Sequence, residues 1–126
     1  RSIGISNFNV RDTDAILDNC RIRPMVNQIK LHIGHSQEEI TAHNRKNGIL
    51  VEGYSPLATG RLLNNGEIAR IASKYGKSIA QLSVRYVLQK GALPLPKSVH
   101  PEYIRQNFDI NFEISDDDIH HLDSLK

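Results

Sequence analysis

The chain has 126 residues, of which 39% are hydrophobic and 24% charged, a composition typical of one globular domain or less and not of a disordered or fibrous chain. Its 16 basic and 14 acidic residues give a formal charge of +2 and are interspersed, which argues against nucleic acid as a partner. No apolar run approaches the roughly 20 residues that span a bilayer and no signal-like segment opens the chain, so the sequence predicts a soluble, cytoplasmic protein with no membrane partner.

Short apolar runs alternate with longer segments of helical period, the pattern of repeated strand-helix units and therefore of parallel strands. The first unit is a strand at 3–5 followed by a helix at 10–19. The second is a strand at 25–31 and a helix predicted to open at Ser36, which has the S-x-x-E spacing of a capping box. Gly48 is predicted to end that helix.

The third unit contains two helices instead of one. Its strand, predicted at 49–54, runs into the breaker-rich loop 55–60, which favours neither a helix nor a sheet ladder. A first helix is predicted at 67–74. A second helix is predicted to begin at Ser78, with Gln81 in the capping-box position.

The fourth strand is predicted at 92–96, followed by a helix with Pro101 near its start and a last helix that opens at Ser115.

Four such units amount to half of the roughly 250 residues of an eight-unit barrel, although four parallel strands also fit a small open sheet with helices on both faces. We prefer the half barrel, because polar and Gly/Pro clusters recur where each strand ends, and in a barrel those ends share one ligand-binding face. The predicted fold class is α/β of the (β/α)8 TIM-barrel type, with four βα units plus a C-terminal helix.

The predicted strand ends carry hydrogen-bonding groups, a flat ring and an anion-binding pair. These are Ser6, Asn7, Gln28, Tyr54, Lys97 and Ser98. Together they suit an amide-bearing, aromatic, phosphorylated ligand. A nicotinamide dinucleotide meets that description, and a flavin or a sugar phosphate does so nearly as well. Taken alone, each residue is better explained by a structural role, such as helix capping by Asn7. The scattered histidines lack the spacing of a metal site, and none is predicted.

The sequence resembles the second half of the aldo-keto reductases in the order and spacing of several strings. They are Ile-Gly-Ile-Ser-Asn-Phe at 3–8, Asn-Gln at 27–28, Tyr-Ser-Pro-Leu at 54–57, and Leu-Pro-Lys-Ser at 95–98 followed by Asn107. The match covers essentially the whole chain. The resemblance implies a (β/α)8 barrel that binds NADP(H) in an extended form and reduces aldehydes and ketones to alcohols. Residues 1–126 would be the C-terminal, cofactor-binding half of that barrel, with no separate second domain.

At the nicotinamide end, the resemblance implies that Ser6, Asn7 and Gln28 hydrogen-bond the carboxamide of the cofactor. Tyr54 would stack on the nicotinamide ring and fix which face delivers hydride. The role of these residues would be orientation, the main contribution of a protein to a cofactor that does the chemistry itself.

At the phosphate end, the resemblance places Ser55 and Leu57 along the pyrophosphate. Lys97 and Ser98 would hold the 2′-phosphate, and Asn107 would contact the adenine. These assignments make NADP(H) the implied cofactor.

The sequence departs from the family at the phosphate end. Six residues after Lys97, where the family often has an arginine that clamps the 2′-phosphate, this chain has Tyr103. Arg105 follows two residues later and points elsewhere on a helix. NAD(H) is therefore the alternative cofactor.

The catalytic Asp, Tyr, Lys and His of the family lie on the first half of the barrel, so the resemblance implies no catalytic residue in this segment. Because the chain begins with Arg1 at the start of a strand, we expect an N-terminal half-barrel as its partner, a small carbonyl compound as substrate, and no activity of the segment alone. One alternative is a non-catalytic cofactor-binding or regulatory member of the fold. Another is a barrel aldolase that uses Lys97 as a Schiff-base lysine.

Overall fold

A computed structural model describes all 126 residues. The strands are β1 (Ile3–Ser6), β2 (Pro24–Lys30), β3 (Leu50–Tyr54) and β4 (Leu93–Leu95). The helices are α1 (Val10–Asn19), α2 (Glu38–Lys46), α3 (Gly66–Lys74), α4 (Ile79–Gln89), α5 (Pro101–Phe108) and α6 (Asp116–Ser124), and a 3₁₀ segment covers Ala58–Asn64. None of the helices has the length and apolar character needed to cross a membrane.

The four strands form one parallel sheet in the order β1-β2-β3-β4. Crossovers between parallel neighbours are right-handed, so a sheet built in strict chain order receives its helices on one face. A doubly wound sheet reverses its strand order at one point and has helices on both faces. The predicted α/β half barrel is therefore confirmed, and the open sheet with helices on both faces is wrong.

The two faces of the sheet differ in burial. On β3, Val51 and Gly53 are buried, whereas Leu50 is 49% exposed and Glu52 and Tyr54 are partly exposed. The buried side belongs to a core shared with side chains of α3, α4 and α6, among them Ile68, Tyr86 and Leu122. The other side has no helix over it, and in a closed barrel this side forms the packed interior.

Close packing of α4 on the sheet depends on a glycine. A Cβ on Gly53 would lie 2.8 Å from Cγ1 of Val87 and 3.3 Å from Cβ of Leu31, inside the contact distance that packed interiors tolerate. The absence of a side chain therefore lets the helix approach β3 directly.

Most predicted helix ends are confirmed. The capping box of α4 is complete, because the Gln81 amide donates to Ser78 Oγ at 3.1 Å and the Ser78 amide donates to Gln81 Oε1 at 3.0 Å. Ser115 accepts from the Asp118 amide at 3.3 Å and caps α6. Gly48 follows the end of α2 with a φ of 71°, a conformation that favours glycine. His100 occupies the N-cap position of α5.

The predicted start of α2 at Ser36 is wrong. The helix begins at Glu38, and Gln37 occupies the N-cap position with a φ of 50° and without a side-chain cap hydrogen bond. The Gln37 side chain donates instead to the backbone carbonyl of Lys30 at 3.0 Å. This hydrogen bond attaches Gln37 to the end of β2. Gln37 is therefore not helical, and the helix starts at the next residue.

The fourth strand is shorter than the predicted 92–96. The Ala92 amide donates to the Val87 carbonyl at 3.2 Å and so completes the end of α4. Pro94 and Pro96 have no amide hydrogen to contribute to a ladder. The predicted loop 55–60 also contains the first turn of the 3₁₀ segment, which is interrupted at Thr59 and Gly60.

Helix α6 is held against α3 and α4 by partly buried polar contacts. Lys74 Nζ lies 2.8 Å from Asp118 Oδ1, and the Tyr75 hydroxyl donates to Asp118 Oδ2 at 2.6 Å. Hydrogen bonds from Lys74 and then Tyr75 hold the pKa of Asp118 below its ordinary value. The Tyr86 hydroxyl donates to Asp123, and burial, with this carboxylate, raises the pKa of Tyr86.

Candidate functional site

Polar side chains at the carboxyl ends of β1, β2 and β3 lie together. Ser6 and Gln28 are partners in the sheet register, and Ser6 Oγ donates to the Gln28 carbonyl at 3.3 Å. The Asn7 amide donates to the same carbonyl at 2.9 Å. The Tyr54 hydroxyl donates to Asn7 Oδ1 at 3.1 Å. The structure thus brings together the four residues that the sequence predicts for a nicotinamide group.

The backbone is strained at the same strand ends. Four of the five non-glycine residues with a positive φ are Asn7, Ser55, Ala58 and Thr59. The left-handed conformation costs about 1 kcal/mol for a residue with a Cβ, less for asparagine. Such strain persists where surrounding structure enforces it, and it concentrates at ligand sites. Its effect here is to turn the chain sharply after β1 and β3, so that both connections leave the strand ends open.

A cavity of about 370 Å³ lies beside α5 and contains the predicted phosphate-end residues. Its lining residues are Leu57, Leu63, Ser78, Ile79, Ala80, Lys97, Ser98, Tyr103, Gln106 and Asn107. Four of them, namely Leu57, Lys97, Ser98 and Asn107, are predicted site residues. Leu57 comes from the loop after β3, Lys97 and Ser98 follow β4, and Asn107 lies on α5.

A second cavity of about 290 Å³ adjoins the first, since Leu57 and Lys97 line both. Ser55 and the strained loop residues Thr59 and Gly60 also line it. The two adjoining cavities form one groove, which begins at Ser55, the residue after Tyr54. The nine predicted residues therefore fall in two groups, four in the polar cluster at the strand ends and five along the groove.

The electrostatic character of the groove depends on one side chain. Lys97 is the only charged residue that lines either cavity. A cation beside apolar walls, with no carboxylate in the lining, favours an anionic group. Tyr103 lines the first cavity and its ring packs edge-on against His100, with the centroids 5.4 Å apart. Arg105 does not line the cavity, so the cation nearest to Tyr103 in sequence is directed away from it.

One residue of the cluster escaped the sequence analysis. Gln28 Nε2 donates to Glu52 Oε2 at 3.0 Å, and the two residues are register partners on β2 and β3. Side chains alternate along a strand, so Glu52 shares the face of Tyr54, which lies two residues further on. Counting back two residues from Tyr54 along the predicted strand would therefore have identified Glu52.

The histidines do not form a metal site. No group of three or more His, Cys, Asp or Glu side chains is arranged to hold a metal ion. His32 is buried, its Nδ1 lies 2.8 Å from the Ile33 carbonyl, and burial lowers its pKa. These contacts indicate a core role for His32.

A sequence model of the Aldo/keto reductase family matches residues 1–126. Glyoxal reductase of Bacillus subtilis is 40% identical over 126 residues, which cover 99% of this chain and 46% of that protein. An uncharacterized oxidoreductase of Schizosaccharomyces pombe is 42% identical over 127 residues, which cover 99% of this chain and 46% of that protein. The chain therefore spans about half the length of these relatives.

Two solved structures show the same arrangement. The aldo-keto reductase MGS-M4 from a Medee basin deep-sea metagenome library matches with a TM-score of 0.91 and 36% identity, over 98% of this chain and 47% of that one. An aldo-keto reductase of the silkworm Bombyx mori complexed with NADPH matches with a TM-score of 0.88 and 31% identity, over 97% of this chain and 41% of that one. The likeness thus extends over nearly the whole chain and less than half of each structure.

Proposed function

Because the chain belongs to the aldo/keto reductase family, we propose that residues 1–126 are the C-terminal, cofactor-binding half of a barrel that reduces aldehydes or ketones to alcohols with NADP(H). The single observation that carries this proposal is the groove itself. It begins at Ser55, the residue after Tyr54 in a cluster of amide and hydroxyl groups, and it ends in a cavity with one cation. A dinucleotide has the same sequence of groups, from carboxamide through pyrophosphate to adenosine.

The nicotinamide end fits the side chains present. The carboxamide needs both hydrogen-bond donors and acceptors, which Ser6, Asn7 and Gln28 supply. Tyr54 presents a ring beside them, partly exposed and held through its hydroxyl. In this proposal the chain holds the ring in one orientation, which is what makes hydride transfer to one face of a carbonyl carbon efficient.

The phosphate end fits a dinucleotide as well. The loop at Ser55 and Leu57 borders the cavity in which a pyrophosphate would lie. Lys97 and Ser98 supply a charged and a neutral donor for the 2′-phosphate, and Asn107 lies in the same cavity for the adenine. With one lysine and Tyr103 at this end, NADP(H) is the proposed cofactor and NAD(H) its weaker competitor.

The cofactor supplies a hydride when bound, and the carbonyl oxygen needs a proton at the same time. None of the residues in 1–126 matches the family's catalytic Asp, Tyr, Lys or His, so we assign the proton donor to an N-terminal half-barrel. The helix-free face of the sheet supports such a partner. Leu50 and Leu93 are exposed there by 49% and 46%, and a closed barrel would bury them.

The environment of Lys97 does not support the aldolase alternative. A Schiff-base lysine is activated by an apolar enclosure or by a neighbouring cation. Lys97 is exposed, and no other charged residue lines its cavities. A cytoplasmic location and a small carbonyl substrate stay predictions.

The experiment is a carbonyl-reduction assay on the complete protein that contains this chain. NADPH consumption is followed with a panel of small aldehydes and ketones, and a dialdehyde is included because one relative is named a glyoxal reductase. We expect aldehyde-dependent consumption of NADPH. Normal NADPH binding without turnover would instead support a non-catalytic cofactor-binding member of the family.

A further inference from the structure

The side-chain amide of Gln28 is held in one orientation by Glu52. The two residues are opposite each other on adjacent parallel strands, and Gln28 Nε2 lies 3.0 Å from Glu52 Oε2. A carboxylate has only acceptors, so it binds the NH₂ side of the amide and not the oxygen side. Gln28 Oε1 therefore faces away from the carboxylate and remains as an acceptor, and Nε2 keeps one of its two hydrogens.

The side-chain amide of Asn7 has the opposite orientation, because its oxygen and not its nitrogen contacts a protein side chain. The Tyr54 hydroxyl donates to Asn7 Oδ1 at 3.1 Å, so the amide oxygen is turned toward Tyr54 and Asn7 Nδ2 remains as a donor. The two amides of the cluster thus present one acceptor, from Gln28, and one donor group, from Asn7. A primary carboxamide is complementary to this pair, because it has both N–H donors and a carbonyl acceptor.

We propose that Glu52 is a positioning residue that turns Gln28 Oε1 toward the ligand as an acceptor, and that the site thereby selects a pyridine ring bearing a 3-carboxamide over rings whose 3-substituent lacks an N–H. This inference rests on the proposed function, because it takes the ligand to be a nicotinamide dinucleotide. Glu52 does not touch the cofactor in this scheme. It acts through Gln28 alone.

The strength of the contact suits this role. A hydrogen bond with one ionised partner is roughly twice as strong as one between neutral groups. The flipped amide would turn Gln28 Oε1 toward the Glu52 carboxylate, placing two acceptors against each other. A neutral partner at position 52 would impose no such preference, since an amide can either donate or accept.

The test compares two dinucleotides that are both uncharged at the ring substituent. One is NADPH, and the other is its reduced 3-acetylpyridine analogue, which keeps the carbonyl but has no N–H. The dissociation constants are measured by calorimetry on the complete protein. For the unaltered protein we expect the analogue to bind roughly threefold to tenfold more weakly, the effect of one hydrogen bond.

Two substitutions separate positioning from packing. Glu52→Met keeps the length of the side chain without an acceptor, on a sheet face that already carries apolar groups, and should bring the ratio of the two dissociation constants close to one. Glu52→Gln allows both orientations of Gln28 and should lower the ratio by about half. As a matched control, Glu113→Gln removes an exposed carboxylate from the loop before α6 and should leave the ratio unchanged.

A purely structural role of Glu52 would weaken both dinucleotides together. A ratio equal to that of the unaltered protein in either folded Glu52 variant would therefore overturn the proposal, even if both affinities fall. Failure of the proposed function looks different, because the unaltered protein would then bind neither dinucleotide.

Discussion

The hydroxyl of Tyr54 donates a hydrogen bond to Oδ1 of Asn7 at 3.1 Å, linking the end of β3 to the residue that follows β1. The contact passes over β2, which lies between these strands. It fixes the position of the Tyr54 hydroxyl and the orientation of the Asn7 amide. The ring and the hydroxyl therefore have separable roles in cofactor binding.

Replacing Tyr54 by Phe and by Ala should distinguish these roles. Tyr54→Phe loses one neutral hydrogen bond and should weaken NADPH binding by about threefold. Tyr54→Ala also loses the stacking surface, worth roughly 1 to 3 kcal/mol for a ring on a base, and should weaken binding at least tenfold. Calorimetric dissociation constants provide the measurement. Equal affinities of Tyr54→Ala and the unaltered protein would show that the ring does not contact the cofactor.

Removing the cation of the groove should change the preference between cofactors. Lys97→Ala should raise the dissociation constant of NADPH by about tenfold, the scale of a charge-assisted hydrogen bond. It should change NADH binding much less, because NADH has no 2′-phosphate. Lys46→Ala, at the exposed end of α2, is the matched control. A parallel loss of NADH affinity in Lys97→Ala would place the lysine at the pyrophosphate instead.

Introducing a second cation at Tyr103 should strengthen the preference for NADPH. Tyr103 lines the cavity beside α5 together with Lys97, and an arginine there can form a bidentate contact with a phosphate. Tyr103→Arg should increase the ratio of NADPH to NADH affinity by roughly threefold to tenfold. Arg105→Ala should leave that ratio unchanged, since Arg105 lies outside the lining of the cavity. An unchanged ratio in Tyr103→Arg would mean that the 2′-phosphate binds elsewhere.

The sequence predicted the features that depend on local chemistry. The capping box at Ser78, the stop at Gly48 and the alternation of strands and helices all follow from residue type and spacing. The start of α2 did not follow, because Gln37 is drawn into a left-handed turn by a bond to Lys30, a contact between residues on different elements.

The same distinction applies to the site. The nominated residues other than Asn107, which lies on α5, are near strand ends, which hydrophobic patterning can locate. Glu52 lies inside β3, and its importance comes from facing Gln28 across the sheet. Register between strands is set by the packed core and the connections, so residue spacing along the chain did not reveal the pair.

The contact between Lys74 and Asp118 should make the free energy of unfolding depend on pH. Hydrogen bonds from Lys74 and Tyr75 lower the pKa of Asp118 from its ordinary value of 3.8. The contribution of the ionised Asp118 carboxylate to the free energy of unfolding is therefore present above pH 3.8. It is lost as the pH falls through the lower pKa of the folded state.

Asp118→Asn in the complete protein should test this dependence. We expect a loss of about 1 kcal/mol in the free energy of unfolding at pH 7, a modest figure because the Lys74 side chain is 58% exposed. The difference between the two proteins should shrink in strong acid. Urea unfolding at both pH values gives the comparison. A difference that stays constant with pH would assign the effect to packing of α6 and not to charge.

The most direct test of the central claim is a titration of NADPH with the complete protein, followed by the fluorescence of the reduced nicotinamide ring. A cofactor site at the ends of β1, β2 and β3 should give a saturable change at micromolar protein, and the change should be weakened in Tyr54→Ala. The absence of any saturable change in the unaltered protein would contradict the assignment of this groove to a nicotinamide dinucleotide.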